Sequence, residues 1–191
     1  MKMREVELKV KLVDLSPMAL SQRLTEMGFV SGAVVKNEDV YYQGTKQPGV
    51  LHQSILRLRT SRDILAGITR CYLTYKGPRQ EDVCQSREEI QTGVEDPQAT
   101  ALLLERLGFT PLLTVKKTRR HYHSDAVTAC LDAVEGLGPF LELEMLTAQE
   151  SQQREAGEQL MTLLEKMELD QKDLTRQSYL ELLLEKQTQG G

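Results

Sequence analysis

Acidic and basic residues alternate with aliphatic residues at the start of the chain. In the segment REVELKVKL, every second position is charged: Glu5, Glu7, Lys9 and Lys11. A β-strand places successive side chains on opposite faces, so this spacing predicts a strand with one apolar face and one charged face. Such a charged face either lies in water or lines a site that holds both a cation and an anion.

Pairs of like charge recur in later segments that also alternate. The pairs are Arg57 with Arg59, Lys117 with Arg119, and Glu142 with Glu144. Comparable segments carry a single charge each, Lys76 and Asp132. One such pair is ordinary for a half-exposed antiparallel strand. Like charges on one face repel, however, and exposed sheets usually mix signs across strands. The recurrence therefore favours acids and bases that share the lumen of a closed sheet.

The residue types indicate which ligands such a lumen would hold. Clustered carboxylates without a convincing His or Cys set favour Mg²⁺ or Mn²⁺ over zinc. Clustered Arg and Lys favour a polyanion, because guanidinium groups pair with phosphate oxygens in bidentate fashion. Together they describe a metal–polyphosphate site. The sequence contains neither a Walker A motif nor G-x-G-x-x-G, so the usual glycine-rich phosphate loops are absent.

The elements that would position these residues are mostly strands. Alternation predicts strands over 4–12, 35–43, 54–61, 68–76, 85–92, 112–123, 127–134 and 139–146. Helices are predicted from Ser16-Pro17 to Gly28, from Asp96-Pro97 to Gly108, and over a tail at about 148–186. The expected fold is α+β, an antiparallel eight-stranded β-barrel with flanking helices. We expect one domain over 1–186 and a disordered tail at 187–191.

Composition limits the classes of partner. The chain has 191 residues, 40% of them hydrophobic, 27% charged, and a formal net charge of −4. A general basic surface for nucleic acid or an acidic membrane is therefore not expected. The three cysteines, Cys71, Cys84 and Cys130, form no C-x-x-C pair, which favours a reduced, cytoplasmic setting. No apolar run is long enough to span a bilayer.

Several motifs in order resemble one known family. EVELK resembles the E-x-E-x-K signature of the CYTH domain, whose members are also called triphosphate tunnel metalloenzymes. NEDVYY, LRLR, LTYKGP, SREEI, VKKTRRHY, LDAVEGLGPFLELE and RQSYLELL follow it, so the resemblance covers about residues 4 to 184. The segments TYKGP and GLGPFLELE are most similar to the class IV adenylyl cyclase (CyaB-like) branch.

This resemblance implies an eight-stranded antiparallel tunnel, a requirement for Mg²⁺ or Mn²⁺, and a role for each matching residue. The implied metal ligands are Glu5, Glu7, Asp132, Glu142 and Glu144. The implied triphosphate-binding residues are Lys9, Arg57, Arg59, Lys76, Lys117 and Arg119. Glu5, Glu7, Lys9 and Lys76 would act in catalysis, and Lys11 and Glu89 are further candidates. The K-x-R-x-x-Y spacing to Tyr122 favours Lys117 and Arg119, whereas a shift by one residue would select Lys116 and Arg120.

The reaction stays open at the level of sequence. Attack of the ribose 3′-hydroxyl on the α-phosphorus of ATP would give cyclic AMP and pyrophosphate, the reaction that the branch resemblance favours. Attack of water would make the protein an inorganic tripolyphosphatase or a thiamine triphosphatase. A non-catalytic polyphosphate- or nucleotide-binding module is a third reading. The expected partner is a small-molecule triphosphate, without nucleic acid or membrane, and family members are often homodimers.

Overall fold

The computed structural model describes residues 4–44, 54–78 and 85–189. The strands are β1 (Arg4–Lys11), β2 (Val30–Gly44), β3 (Ile55–Asp63), β4 (Thr69–Lys76), β5 (Gln85–Val94), β6 (Phe109–His123), β7 (Thr128–Val134) and β8 (Gly138–Thr147). The α-helices are α1 (Pro17–Glu26), α2 (Pro97–Arg106), α3 (Gln153–Lys166) and α4 (Tyr179–Gln189), and single 3₁₀ turns cover Glu150–Gln152 and Gln171–Asp173.

The strands form a closed barrel. Their order is β1-β5-β4-β3-β2-β6-β7-β8, and β8 pairs with β1 to complete the circle. Every neighbouring pair is antiparallel. The predicted α+β class and the eight-stranded antiparallel barrel are thus confirmed.

The main hydrophobic core lies outside the barrel. The apolar face of β1 is turned outward, where Val6 and Leu8 pack in one cluster with Leu20 of α1 and Leu160 of α3. Since side chains alternate along a strand, covering the apolar face with helices turns Glu5, Glu7 and Lys9 into the lumen. The helices therefore determine which face of β1 becomes the inside.

The last helix lies across one end of the barrel. Tyr179 packs edge-on against Phe140, with ring centroids 5.1 Å apart. Lys186 Nζ donates to the carbonyl of Gly136, in the turn between β7 and β8, at 2.6 Å. The helix α4 ends at Gln189, so residues 187–189 are helical and the prediction of disorder there is wrong. Residues 190 and 191 lie outside the described residues.

The predicted helix starts agree with the observed caps. Ser16 Oγ accepts from the backbone N–H of Ala19 at 3.2 Å, and Asp96 Oδ1 accepts from Gln98 and Ala99. Two strands begin earlier than predicted, β2 at 30 and β6 at 109. Gly32 and Pro111 interrupt their sequence patterns, and the pairing of β2 with β6 shifts register beside each of them. Irregularities of this kind allow a strand to continue past residues that disfavour it.

None of the described helices is long and apolar enough to cross a membrane. Cys71 and Cys130 are free thiols, and Cys84 lies outside the described residues.

Candidate active site

Most of the charged residues predicted for the site line one cavity. The cavity lies inside the barrel and has a volume of about 200 Å³. Its charged lining consists of Glu5, Glu7, Lys9, Arg57, Arg59, Lys76, Glu89, Lys117, Arg119, Glu142 and Glu144. Two predicted residues are placed elsewhere. Lys11 is exposed at the end of β1, and Asp132 is buried behind the bases.

Asp39 holds the arginines of β3. Arg59 donates to it in bidentate fashion, with Nε to Oδ1 at 2.6 Å and Nη2 to Oδ2 at 2.7 Å. Arg57 Nη1 lies 3.8 Å from the same Oδ2. Burial alone would raise the pKa of Asp39, which is 1% exposed, but the charge of Arg59 holds it well below its usual range. Asp39 therefore fixes two of the phosphate-binding candidates.

Asp132 has the same role for the bases of β6. Its Oδ2 accepts from Lys117 Nζ at 3.0 Å, from Arg119 Nη2 at 2.6 Å and from the Tyr179 hydroxyl at 2.9 Å. Its Oδ1 accepts from Arg119 Nε at 2.7 Å. These contacts leave the carboxylate little capacity for a cation. The geometry therefore favours a positioning role over the metal-ligand role that the resemblance implies.

The register of β6 places Lys117 and Arg119 in the lumen. Both are buried, whereas the side chain of Lys116 is 50% exposed and lies 3.6 Å from Glu38. Arg120 is exposed. The K-x-R-x-x-Y spacing therefore identified the inward-facing pair.

Three glutamates form an acidic cluster. One carboxylate oxygen from each of Glu5, Glu7 and Glu144 lies within 4.8 Å of the other two. Glu7 and Glu144 are directly opposite in the pairing of β1 with β8. Burial, together with its acidic neighbours, raises the pKa of Glu144 to about 6 and that of Glu5 to about 8. Carboxylates that disfavour one another's ionisation fit a hard divalent cation, which would compensate their charge.

Glu142 lies between this cluster and the bases. Its carboxylate contacts Lys9 Nζ at 3.1 Å and also pairs with Arg119, and it is not part of the cluster of Glu5, Glu7 and Glu144. Burial alone would raise the pKa of Glu142, but Arg119 and Lys9 hold it well below its usual range. Among the described residues, the structure thus assembles only three of the five predicted metal ligands.

Lys76 of β4 forms ion pairs with glutamates of β5 and β1. Its Nζ lies 2.9 Å from Glu89 and 3.7 Å from Glu5. Burial would raise the pKa of Glu89, but Lys76 lowers it to about 2. Glu89, expected only as a further candidate, therefore keeps Lys76 at the edge of the acidic cluster.

Tyr179 was not predicted for the site. Lys9 Nζ and Lys117 Nζ each lie 4.7 Å from the centroid of its ring. The signal that could have found it is the capping box of SYLE. Ser178 N donates to Glu181 Oε2 at 2.6 Å, and Glu181 N donates to Ser178 Oγ at 3.3 Å. This box begins α4 at Tyr179 and fixes its ring at the tunnel wall.

Comparison with known proteins identifies the family. The sequence pattern described as CYTH domain matches residues 3–179. The chain belongs to the CYTH family. CYTH proteins are triphosphate-processing tunnel enzymes that use divalent metals.

Individual relatives agree with this assignment. The MJ0240 protein of Methanocaldococcus jannaschii, named as an adenylate cyclase candidate, is 31% identical over 180 residues, which are 94% of this chain and 98% of that protein. Adenylate cyclase CyaB of Aeromonas hydrophila is 29% identical over 104 residues, 54% of this chain and 51% of that protein. The PH1819 protein from Pyrococcus horikoshii OT3 is 36% identical, with 95% of this chain and 99% of that one covered and a TM-score of 0.84.

Proposed function

We propose that this protein is a divalent-metal-dependent enzyme that acts on a triphosphate inside the barrel and converts ATP to cyclic AMP and pyrophosphate. One observation supports the proposal above all: the acidic cluster and the Arg and Lys side chains line the same cavity. The names of the relatives from Methanocaldococcus and Aeromonas support the cyclase reaction.

The bases of four strands would bind the phosphates. Arg57 and Arg59 present guanidinium groups from β3, Lys117 and Arg119 present an ammonium and a guanidinium group from β6, and Lys76 and Lys9 lie beside the acids. Asp39 and Asp132 already hold four of these side chains in place, so binding requires little reorganisation. Preorganised cations stabilise the charge that develops on phosphate oxygens as a P–O bond breaks.

Glu5, Glu7 and Glu144 would hold the metal. A bound Mg²⁺ or Mn²⁺ supplies charge neutralisation at the reacting phosphate. Lys9 lies 3.0 Å from Glu7 and 3.1 Å from Glu142, which places its positive charge between the cluster and the bases of β6. Lys9 and Lys76 are therefore the bases nearest to the atoms that would react.

Hydrolysis of tripolyphosphate or thiamine triphosphate would use the same bases and the same acids. The reactions differ in which phosphorus meets a nucleophile in line. Product analysis separates them. The purified protein is incubated with ATP, tripolyphosphate or thiamine triphosphate and with Mg²⁺ or Mn²⁺, and the products are resolved by anion exchange. Glu144→Gln is the inactive variant that we expect, and Lys116→Ala, outside the barrel, is its active control.

Each outcome has a distinct meaning. Cyclic AMP with pyrophosphate from ATP would support the proposed reaction. Orthophosphate without cyclic AMP would make the protein a triphosphatase and keep the site. Binding of these triphosphates without any product would favour a non-catalytic binding module, and absence of both binding and products would refute the proposal.

A further inference from the structure

A second cavity opens at the end of the barrel opposite α4. Its volume is about 320 Å³, and its lining includes Ser61, Arg70, Tyr72, His121 and His123, which we call the mouth residues. Along β6 the inward-facing side chains run from Val115, which packs in one cluster with Tyr179, through Lys117 and Arg119 to His121 and His123. The mouth residues thus continue the tunnel on the side away from the last helix.

The mouth residues begin one step beyond the phosphate-binding candidates. His121 follows Arg119, and Ser61 follows Arg59, at the next inward position of the same strand. Two residues along a strand span about 7 Å. Because Tyr179 occupies the other end, a group attached to a triphosphate on these arginines would extend toward the mouth residues.

The mouth residues offer flat rings. The imidazoles of His121 and His123 are parallel within 8°, with centroids 6.0 Å apart. Gly32 leaves room for this arrangement, because a Cβ there would lie 3.0 Å from His123 Nε2. Burial, Arg119 and His123 lower the pKa of His121 to about 4, so its ring is uncharged at neutral pH. With the ring of Tyr72, this surface suits stacking of an aromatic heterocycle.

The second cavity carries charges of both signs. Arg70 contributes a guanidinium group there. Asp63 contributes a carboxylate, whose Oδ1 accepts hydrogen bonds from the backbone N–H groups of Leu65 and Ala66 in its own turn. An Arg guanidinium group can stack on a flat heterocycle, so Arg70 adds to the surface that the three rings offer.

Asn37 supplies an unused acceptor between the two cavities. It lies on the inward face of β2 between Val35, which lines the second cavity, and Asp39, which binds Arg59. In the sheet it is opposite Ser61 on β3 and Lys117 on β6. Its Oδ1 is buried and has no hydrogen-bond partner in the part of the chain that the structure describes. A buried acceptor without a donor is costly, and a ligand hydroxyl would satisfy it.

We propose that the mouth residues bind the flat base of a nucleoside triphosphate, and that Asn37 accepts a hydrogen bond from its sugar. This inference rests on the proposed function, because the triphosphate must lie on the arginines for the base to reach the mouth residues. It makes the mouth residues the determinants that favour a nucleotide over inorganic tripolyphosphate.

The test compares two probes by titration calorimetry with Mg²⁺. One is ATP whose α–β bridging oxygen is replaced by methylene, and the other is inorganic tripolyphosphate. The variants are Arg70→Ala and His123→Ala, both at exposed positions that should not disturb folding. Arg62→Ala is the matched control, since it removes an exposed cation from the outward face of the neighbouring strand β3.

We expect each mouth variant to bind the ATP analogue about tenfold more weakly and tripolyphosphate as tightly as the wild type does. Arg62→Ala should bind both like the wild type. Unchanged binding of the ATP analogue in both variants would refute the mouth residues as the base site. Equal losses for both probes would also refute it, because the effect would then lie in the tunnel. A wild type that binds neither probe would overturn the proposed function, and this inference with it.

Discussion

Replacing Asp132 with Asn should weaken the fold and triphosphate binding without weakening metal binding. The carboxylate accepts from Lys117, from Arg119 and from the Tyr179 hydroxyl, and it lies outside the cluster of Glu5, Glu7 and Glu144. An amide removes the negative charge and turns a nitrogen toward one of these donors. The bases would then lose their orientation, whereas the acidic cluster would keep its three ligands.

The size of the effect follows from burial. The side chains of Asp132 and Lys117 are 0% and 4% exposed, so solvent screens their interaction little. Removing one partner of a buried ion pair costs about 3–5 kcal/mol. Arg119 keeps contacts with Glu142 and Glu144, so we expect the lower end of this range. For a chain of 191 residues, a loss of about 3 kcal/mol lowers Tm by roughly 6–12 °C.

The assay combines urea unfolding with calorimetric titration of Mn²⁺ and tripolyphosphate. Asp132→Asn should unfold at lower urea concentration, bind tripolyphosphate more weakly and bind Mn²⁺ like the wild type. Tyr179→Phe removes only one donor to the same oxygen and should cost about 1 kcal/mol. If Asp132→Asn instead kept wild-type stability and lost Mn²⁺ affinity, the positioning role would be refuted and Asp132 would return to the metal site.

Three further perturbations test other parts of the site. Glu144→Gln should lower Mn²⁺ affinity at least about tenfold, because it removes a carboxylate oxygen from the cluster. Unchanged affinity would show that Glu144 is not a metal ligand. Without metal, Tm should fall as the pH rises from 4.5 to about 8, because burial raises the pKa of Glu5 from 4.5 to about 8 and the folded state then binds the proton more tightly than the unfolded state. Glu5→Gln should flatten this slope. Asp39→Asn should lower Tm. Tripolyphosphate should raise the Tm of this variant by more than it raises the Tm of the wild type, because a phosphate group replaces the lost partner of Arg59. Equal increases in Tm would contradict this.

Alternation along single strands was sufficient to predict which charged residues of these strands face the lumen. Glu5, Glu7, Arg57 and Arg59 face the cavity because the opposite residues of their strands are apolar and are covered from outside. The spacing to Tyr122 resolved the register of β6 for the same reason: Tyr122 is buried on the outer side, with its hydroxyl 2.5 Å from Ser21 Oγ in α1. Because side chains alternate along a strand, residues an odd number of positions from Tyr122 face inward, as Lys117 and Arg119 do.

Roles within the lumen could not be read from alternation. Asp132 and Glu144 are both inward-facing acids, yet one is saturated by bases and the other belongs to the acidic cluster. That difference depends on which strands are neighbours: Arg119 is directly opposite Asp132 across β6 and β7, whereas Glu144 is opposite Glu7 across β8 and β1. Strand order is a property of the closed barrel, and the spacing of residues within one strand does not contain it.

The charge pattern inside the barrel also explains why acids and bases occur in one lumen. Asp39 and Asp132 neutralise bases that would otherwise repel one another, so the tunnel can fold before any phosphate binds. The positive charge near Glu5 and Glu144 does not offset the cost of burying their carboxylates, so the pKa values of both are raised. Folding therefore balances the phosphate-binding wall with fixed carboxylates and leaves the acidic cluster unbalanced. A cation has most to gain at the cluster, whereas a polyanion meets bases that fixed carboxylates already partly neutralise. This asymmetry predicts that adding metal stabilises the fold more than adding phosphate does.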